Sequence, residues 1–341
     1  MPPQTIQETL TDHIPTFVLN VNAPIQPKPM GTWMMVYSDD VWYWQGFNLT
    51  NLRNAYGHIF DLPCPTMSHP IRSLRPFPTW AVSDAHPRFV IQTLDELKKH
   101  GIETLHHLLR CPLQHAIAKL KECLVCSKSD VLCDYMAPHT EVDWLWSVFY
   151  ATDETNLVVS CSRLSNTFTS EDLRLKKSNA IYTLRQLATY AVIGKTRYGF
   201  ILTDKEVVIV RFHVVSRELE EYGVGWVAIP WKETGPCTLT APLALFSLAL
   251  MSLNDDHRHI VVGDQTLPLD AWVREKPSTR EGKVRFYHHL SGQYVDELPE
   301  GVHFYWERKK KRTRCVADHD TRSHFDGDFR GHGRMEVIRA E

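Results

Sequence analysis

The chain has 341 residues, 43% hydrophobic and 23% charged, with a formal net charge of −2. Those values fit a folded globular protein of one large or two modest domains. They exclude global steering toward polyanions, so any nucleic-acid contact must come from a local basic patch. The opening Met1-Pro-Pro-Gln-Thr-Ile-Gln-Glu8 has neither a basic start nor an apolar stretch. The longest apolar run, Ala241 to Leu253, is too short to cross a bilayer. A cytoplasmic protein without a membrane partner is expected, its 8 cysteines kept as thiols.

Residues 1 to about 90 are rich in proline and aromatics, among them Trp33, Trp42, Tyr43, Trp44, Phe47 and Trp80. A hairpin of 32–37 with 41–45 around Ser38-Asp-Asp is predicted, and the rest reads as irregular chain laid over a core. The tryptophans can stack on unpaired bases, but core packing is the stronger reading. From Phe89 to Cys126 the spacing turns helical. Phe89, Ile91, Leu94 and Leu97 form one run; Gly101 breaks it, and Ile102, Leu105, Leu108 and Leu109 resume it. Pro112 suits the first turn of a further helix carrying Leu113, Ile117, Leu120 and Leu124. Residues 127–139 read as a loop. Cys123, Cys126, Cys133 and His139 have a passable zinc spacing, but no second paired knuckle follows, so no metal is expected.

Glu141 to Phe149 predicts a strand, 151–156 a polar turn, and Leu157 to Arg163 a second strand. A capped helix holding Leu184-Arg-Gln-Leu-Ala-Thr-Tyr190 follows, then the strand pair Tyr198–Thr203 and Val207–Phe212. Gly225 to Trp231 reads as an edge strand stopped by Pro230. Thr240 is a good N-cap and Pro242 fits the first turn of an apolar helix to Leu253, hydrophobic on nearly all sides and so buried. Further short strands are predicted at 260–262, 269–272, 284–288 and 302–306. From Arg308 the chain turns basic, then rich in Asp, Gly, His and Arg, which predicts a disordered tail. The expected organisation is an extension over 1–126, an α/β core over 127–307 and a tail over 308–341.

The stretch from Val142 to Leu290 resembles a fungal family with a PD-(D/E)XK nuclease-like core. The marks are Gln186-Leu-Ala-Thr-Tyr190, Thr196-Arg-Tyr-Gly-Phe-Ile-Leu-Thr-Asp-Lys-Glu206, Ala228-Ile-Pro-Trp231, Leu243-Ala-Leu245 and His288-His-Leu-Ser-Gly292, in that order. The resemblance implies a mixed α/β fold with a sheet of four or five strands flanked by helices. In active members of that superfamily, acids on two adjacent strands hold divalent metal, and a lysine two residues beyond the second acid orients the attacking water. Asp143 suits the first acid. Cys161 and Arg163 stand where the second acid and the lysine belong. A thiolate is a poor ligand for magnesium, and arginine is too basic to replace a proton-handling lysine. A nuclease with a migrated acid would draw on Glu141, Asp153 or Glu171.

In length and general appearance the chain is also similar to the fungal arginine-containing cyclodipeptide synthases. That resemblance implies aminoacyl-tRNA partners, arginyl-tRNA and one other. It also implies acyl transfer to a side chain with no cofactor, because the tRNA ester already carries the activation. Ser160, Cys161, Ser162 and Arg163, with Asp143 alongside, would then be the catalytic group. Asp143, Glu141 or Glu154 would engage the arginine guanidinium. Arg185, Gln186 and Tyr190 would line the substrate. Lys177, Lys195 and Arg197, with Lys309, Lys310 and Lys311 of the basic run Arg308–Arg314, would take the tRNA phosphates.

Plainer readings stand beside these. Cys161 fits a small buried apolar residue, the serines can bond to backbone, and scattered lysines commonly mark a solvated helix end. Tandem His288-His289 and the pair His257/His259 could serve as proton shuttles, without an evident nucleophile. A degenerate module that binds nucleic acid without cutting it, and a protein-interaction domain that keeps only the fold, are the rival functions.

Overall fold

Thr5 opens the first helix with a reciprocal cap. Its hydroxyl accepts from the Glu8 N–H while the Glu8 carboxylate accepts from the Thr5 N–H. The computed structural model describes residues 4–12, 14, 16–20, 22–25, 33–64, 88–122, 136–137, 144–150, 153–261, 267–275, 284–298, 303–306 and 337–339. In chain order these carry α1 (Ile6–Thr11), β1 (Thr16–Leu19), β2 (Val41–Tyr43), α2 (Leu49–Phe60), β3 (Arg88–Ile91) and α3 (Leu94–Glu122). Then come β4 (Met136–Ala137), β5 (Trp144–Tyr150), β6 (Asp153–Ser162), α4 (Ser170–Arg174), α5 (Ser178–Ile193), β7 (Tyr198–Leu202), β8 (Glu206–Ser216) and β9 (Glu221–Pro230). The chain continues through α6 (Ala241–Leu253), α7 (Asp255–Arg258), β10 (Trp272–Glu275), β11 (Arg285–His288), β12 (Tyr294–Val295), β13 (His303–Trp306) and β14 (Val337–Arg339).

The fold is mixed α/β. Its main sheet has seven strands in the order β2-β9-β8-β7-β6-β5-β4. Strands β4 to β6 form an antiparallel meander, and β7 lies parallel to β6 after the crossover through α4 and α5. Strands β8 and β9 return antiparallel, and β2 joins the far edge parallel to β9. A second sheet has the order β12-β11-β10-β13-β14, and β1 pairs with β3.

Both faces of β6, β7 and β8 are covered. On one face Val158, Phe200 and Ile209 pack with Leu52 of α2, Leu109 of α3 and Phe246 of α6. On the other face Val159, Cys161, Ile201, Val208 and Val210 pack against Leu184, Leu187 and Ala188 of α5. All five residues of β7 are buried, as a strand covered on both sides requires. Helix α6 is buried along its whole length, with Thr240 as its N-cap and Pro242 in its first turn, as predicted.

Several expectations are corrected. The arms 32–37 and 41–45 do not pair with each other: Met35 bridges Glu221 and Val41–Tyr43 joins β9, both parallel, with a 3-10 turn at Ser38–Asp40 between them. The N-terminal region is less irregular than its composition implied, because Asn48 caps the twelve-residue α2. Helix α3 runs unbroken through Gly101 and Pro112. At Gly101 a Cβ would lie 2.6 Å from Leu202 Cδ2, so this glycine permits close approach to β7 and is not a breaker. Strand β6 begins at Asp153, so residues 153–156 of the predicted turn are strand. Strand β9 is not an edge, since β2 covers it. Helix α5 starts at Lys177 without a side-chain cap; the capping box belongs to Thr169 and α4. Residues 260–261 form no strand, although the Val261 carbonyl accepts from the Val214 N–H. No helix among the described residues is long and apolar enough to cross a membrane.

Candidate functional site

The end of β6 lies between β5 and β7, where Ser160, Cys161 and Ser162 pair with Phe200, Ile201 and Leu202. Strand alternation turns Cys161 and Arg163 toward α5 and the two serines toward the opposite layer. No residue from Ser160 to Arg163 is more than 5% exposed. Cys161 is fully buried within the apolar cluster under α5. Ser160 Oγ is buried and makes no hydrogen bond. A nucleophile must be reached by its substrate, and this segment is sealed from solvent. The expected catalytic role for Ser160, Cys161 and Ser162 therefore lacks the access that it needs.

Arg163 is the polar centre of the segment. One guanidinium nitrogen donates to the Ser162 carbonyl at 2.7 Å, and the other donates to Gln186 Oε1. The Gln186 amide nitrogen donates in turn to the Tyr190 hydroxyl. Gln186 and Tyr190 are one helical turn apart, so both side chains lie on the same face of α5. The structure thus joins three of the predicted residues into one buried hydrogen-bonded line. Arg185 points elsewhere, its Nε donating to the Val36 carbonyl at 3.1 Å.

Asp143 and Glu141 lie outside the described residues; Trp144, next in the chain to Asp143, pairs with Ser160. Glu154 pairs with Phe149 near the far end of the hairpin. At ~3.3 Å per residue its backbone is roughly 20 Å along β6 from Ser160, and that of Asp153 is slightly farther. That separation keeps both away from the Arg163 line. Glu171 is on the surface, bonded to Arg174.

The expected basic face is ion-paired at Lys177, and its neighbours Lys176 and Arg174 are paired as well. Lys177 pairs with Asp172 at 2.7 Å, Lys176 with Asp39 at 3.5 Å, and Arg174 with Glu171. Burial pushes the Asp172 carboxyl up, but hydrogen bonds from Lys177 and Thr169 outweigh it and hold the group below its ordinary value. Arg197 is buried and its guanidinium lies 5.7 Å from the Tyr198 ring centre, so it is not a surface phosphate ligand. Lys195 is exposed. Lys309, Lys310 and Lys311, and the cysteine group at 123–133 with His139, lie outside the described residues.

Sequence reasoning passed over one buried acid. Asp204, within the quoted Thr203-Asp-Lys-Glu206 motif, accepts from the Ser165 N–H at 2.6 Å and from its hydroxyl at 2.7 Å. It fixes the loop that leaves β6. Glu206 holds Ser170 in the same way. The histidines form a separate buried group: His288 and His289 each donate Nε2–H to a carbonyl, of Leu269 and Pro268, and His289 Nδ1 faces His257 Nε2 at 3.4 Å. Among the described residues no group of His, Cys, Asp and Glu is placed to hold a metal ion. The tryptophans side with packing: Trp44 is buried beneath the Arg211 guanidinium, 4.2 Å from the ring centre, and Trp42 lies tilted against the His213 ring. No family model, no curated protein and no solved structure matches this chain.

Proposed function

We propose that the chain is a degenerate PD-(D/E)XK-like module that binds nucleic acid without cutting it. One observation carries this reading. At the strand end where such a nuclease keeps its second acid and lysine, Cys161 is fully buried among apolar side chains and Arg163 is tied to Gln186. A thiol in an apolar cluster does not hold magnesium, and a guanidinium locked in a side-chain network does not activate water. The order of β4, β5, β6, the crossover helix α5 and the parallel β7 is compatible with that scaffold. With Lys176 and Lys177 already ion-paired, the dense run Arg308–Arg314 is the strongest remaining source of phosphate contacts.

Fluorescence anisotropy with labelled DNA duplex, single-stranded DNA and RNA tests this. Binding should weaken steeply as salt rises, fall when Lys309, Lys310 and Lys311 are replaced by alanine, and leave each strand intact in magnesium. Cleavage, or no binding to any of the three, would reject the proposal. Arginine-dependent cyclodipeptide synthesis requires an opening over Ser160–Arg163. Arginine-containing diketopiperazines in the medium of an expressing host would establish it in place of the binding reading.

A further inference from the structure

Residues Trp33–Val36 cross the outside of α5 as a strap. The Met34 N–H donates to Thr189 Oγ1 at 2.9 Å, and the Val36 carbonyl accepts from Arg185 Nε at 3.1 Å. On its other side, the Met35 N–H donates to the Glu220 carbonyl at 3.3 Å and the Met35 carbonyl accepts from the Tyr222 N–H at 2.8 Å. The strap therefore links α5 to the start of β9. Trp33 stands edge-on to Tyr190 and Tyr182, with ring centres 6.2 and 6.5 Å away. Tyr182, Gln186 and Tyr190 recur every fourth residue and form one line along α5. Trp33 covers that line above the Arg163–Gln186–Tyr190 network.

The seat is imperfect in two places. Trp33 Nε1 is buried without a hydrogen-bond partner, which weakens the closed state. Glu220, which anchors Met35, has a φ of 51°, a region that non-glycine residues adopt at a cost. The strap also meets the sheet through the single bridge Met35–Glu221, where a ladder would bind it more firmly.

We propose that residues 33–36 are a displaceable cover, which lifts as a unit while the sheet stays folded and opens Arg163, Gln186 and Tyr190 to solvent. The inference concerns access and does not depend on which ligand the protein takes.

Two measurements on the full chain test it. By hydrogen exchange, the Met34 and Tyr222 amides should exchange roughly tenfold or more faster than those of Val208–Val210 in β8. Equal rates would mean that the strap opens only when the whole fold does, and would overturn the proposal. The second measurement is the rate at which phenylglyoxal modifies Arg163, read by peptide mass. Trp33→Ala should raise it roughly tenfold, and Thr189→Val should raise it less. Arg211, buried over Trp44 on the other side of the sheet, is the control and should not change. Arg163 unchanged in both variants, or rising in step with Arg211, would overturn the proposal. If Trp33→Ala does not fold, Thr189→Val decides.

Discussion

The buried guanidinium of Arg163 donates to the side-chain carbonyl of Gln186, tying the end of β6 to the middle of α5. Removing Gln186 takes away one of the two acceptors of this buried charge and leaves the Ser162 carbonyl. Gln186→Ala should therefore cost about 2 kcal/mol, as expected when a hydrogen bond to a charged group is lost. Arg163→Met, which removes the charge and keeps apolar volume, should cost clearly less. Urea unfolding of both variants checks the order; equal losses would mean that the bond carries little.

Cys161 packs as an apolar residue. Cys161→Ala should lower stability by about 1 kcal/mol and leave nucleic-acid affinity unchanged. Cys161→Glu combined with Arg163→Lys restores the nuclease side-chain types on paper. It should nevertheless yield poorly folded protein without magnesium-dependent cleavage, because the new carboxylate is buried in an apolar cluster. A plasmid-nicking assay on that double variant is the check.

Gly101 makes a sterically defined prediction. Alanine normally favours a helix by about 1 kcal/mol over glycine, yet here its Cβ would meet Leu202, which is buried in the central strand β7. Overpacking should win, so Gly101→Ala should destabilise by about 1–3 kcal/mol. Leu202→Ala should relieve part of that loss, visible as non-additivity in a double-mutant cycle.

His213 sets a pH dependence. Burial, then the Arg211 and Arg197 charges, lowers its pKa from the ordinary histidine value to about 3. Between that value and about 6.5 the unfolded chain takes up a proton that the folded protein refuses, so stability rises with pH across the window. The contribution is complete above about pH 6.5 and is lost as pH falls toward 3. The slope approaches about 1.4 kcal/mol per pH unit for this group. Urea midpoints measured from about pH 7 down to about 4 should fall less steeply for His213→Asn than for the native protein.

Glu220 has a left-handed backbone, so Glu220→Gly should raise stability by about 0.5–1 kcal/mol once glycine's greater unfolded freedom is subtracted. Thermal melts would show the gain; a loss would place the value of Glu220 in its side chain.

Local signals in the sequence find α5, α6 and strands β5 to β9 because each has its own periodicity or cap. The Thr240 N-cap with Pro242 marks α6, and the run Tyr198–Leu202 marks a strand covered on both faces. Other signals are present but masked by their neighbours. Asn48 caps α2 and Thr5 pairs with Glu8, yet both lie in a stretch dominated by prolines and aromatics. Gly101 reads as a breaker because composition does not reveal that Leu202 packs against it.

Residue order alone is enough for the α/β class, for the apolar helix at Ala241–Leu253, and for the thiol and guanidinium at Cys161 and Arg163 where the resemblance calls for an acid and a lysine. Periodicity, caps and side-chain chemistry are local properties. That Cys161 is sealed, that Arg163 bonds to Gln186, and that Trp33 lies over Tyr190 emerge only in the folded molecule. Burial and hydrogen-bond partners depend on which distant segments pack together, and Met34 of the strap precedes its partner Thr189 by 155 residues.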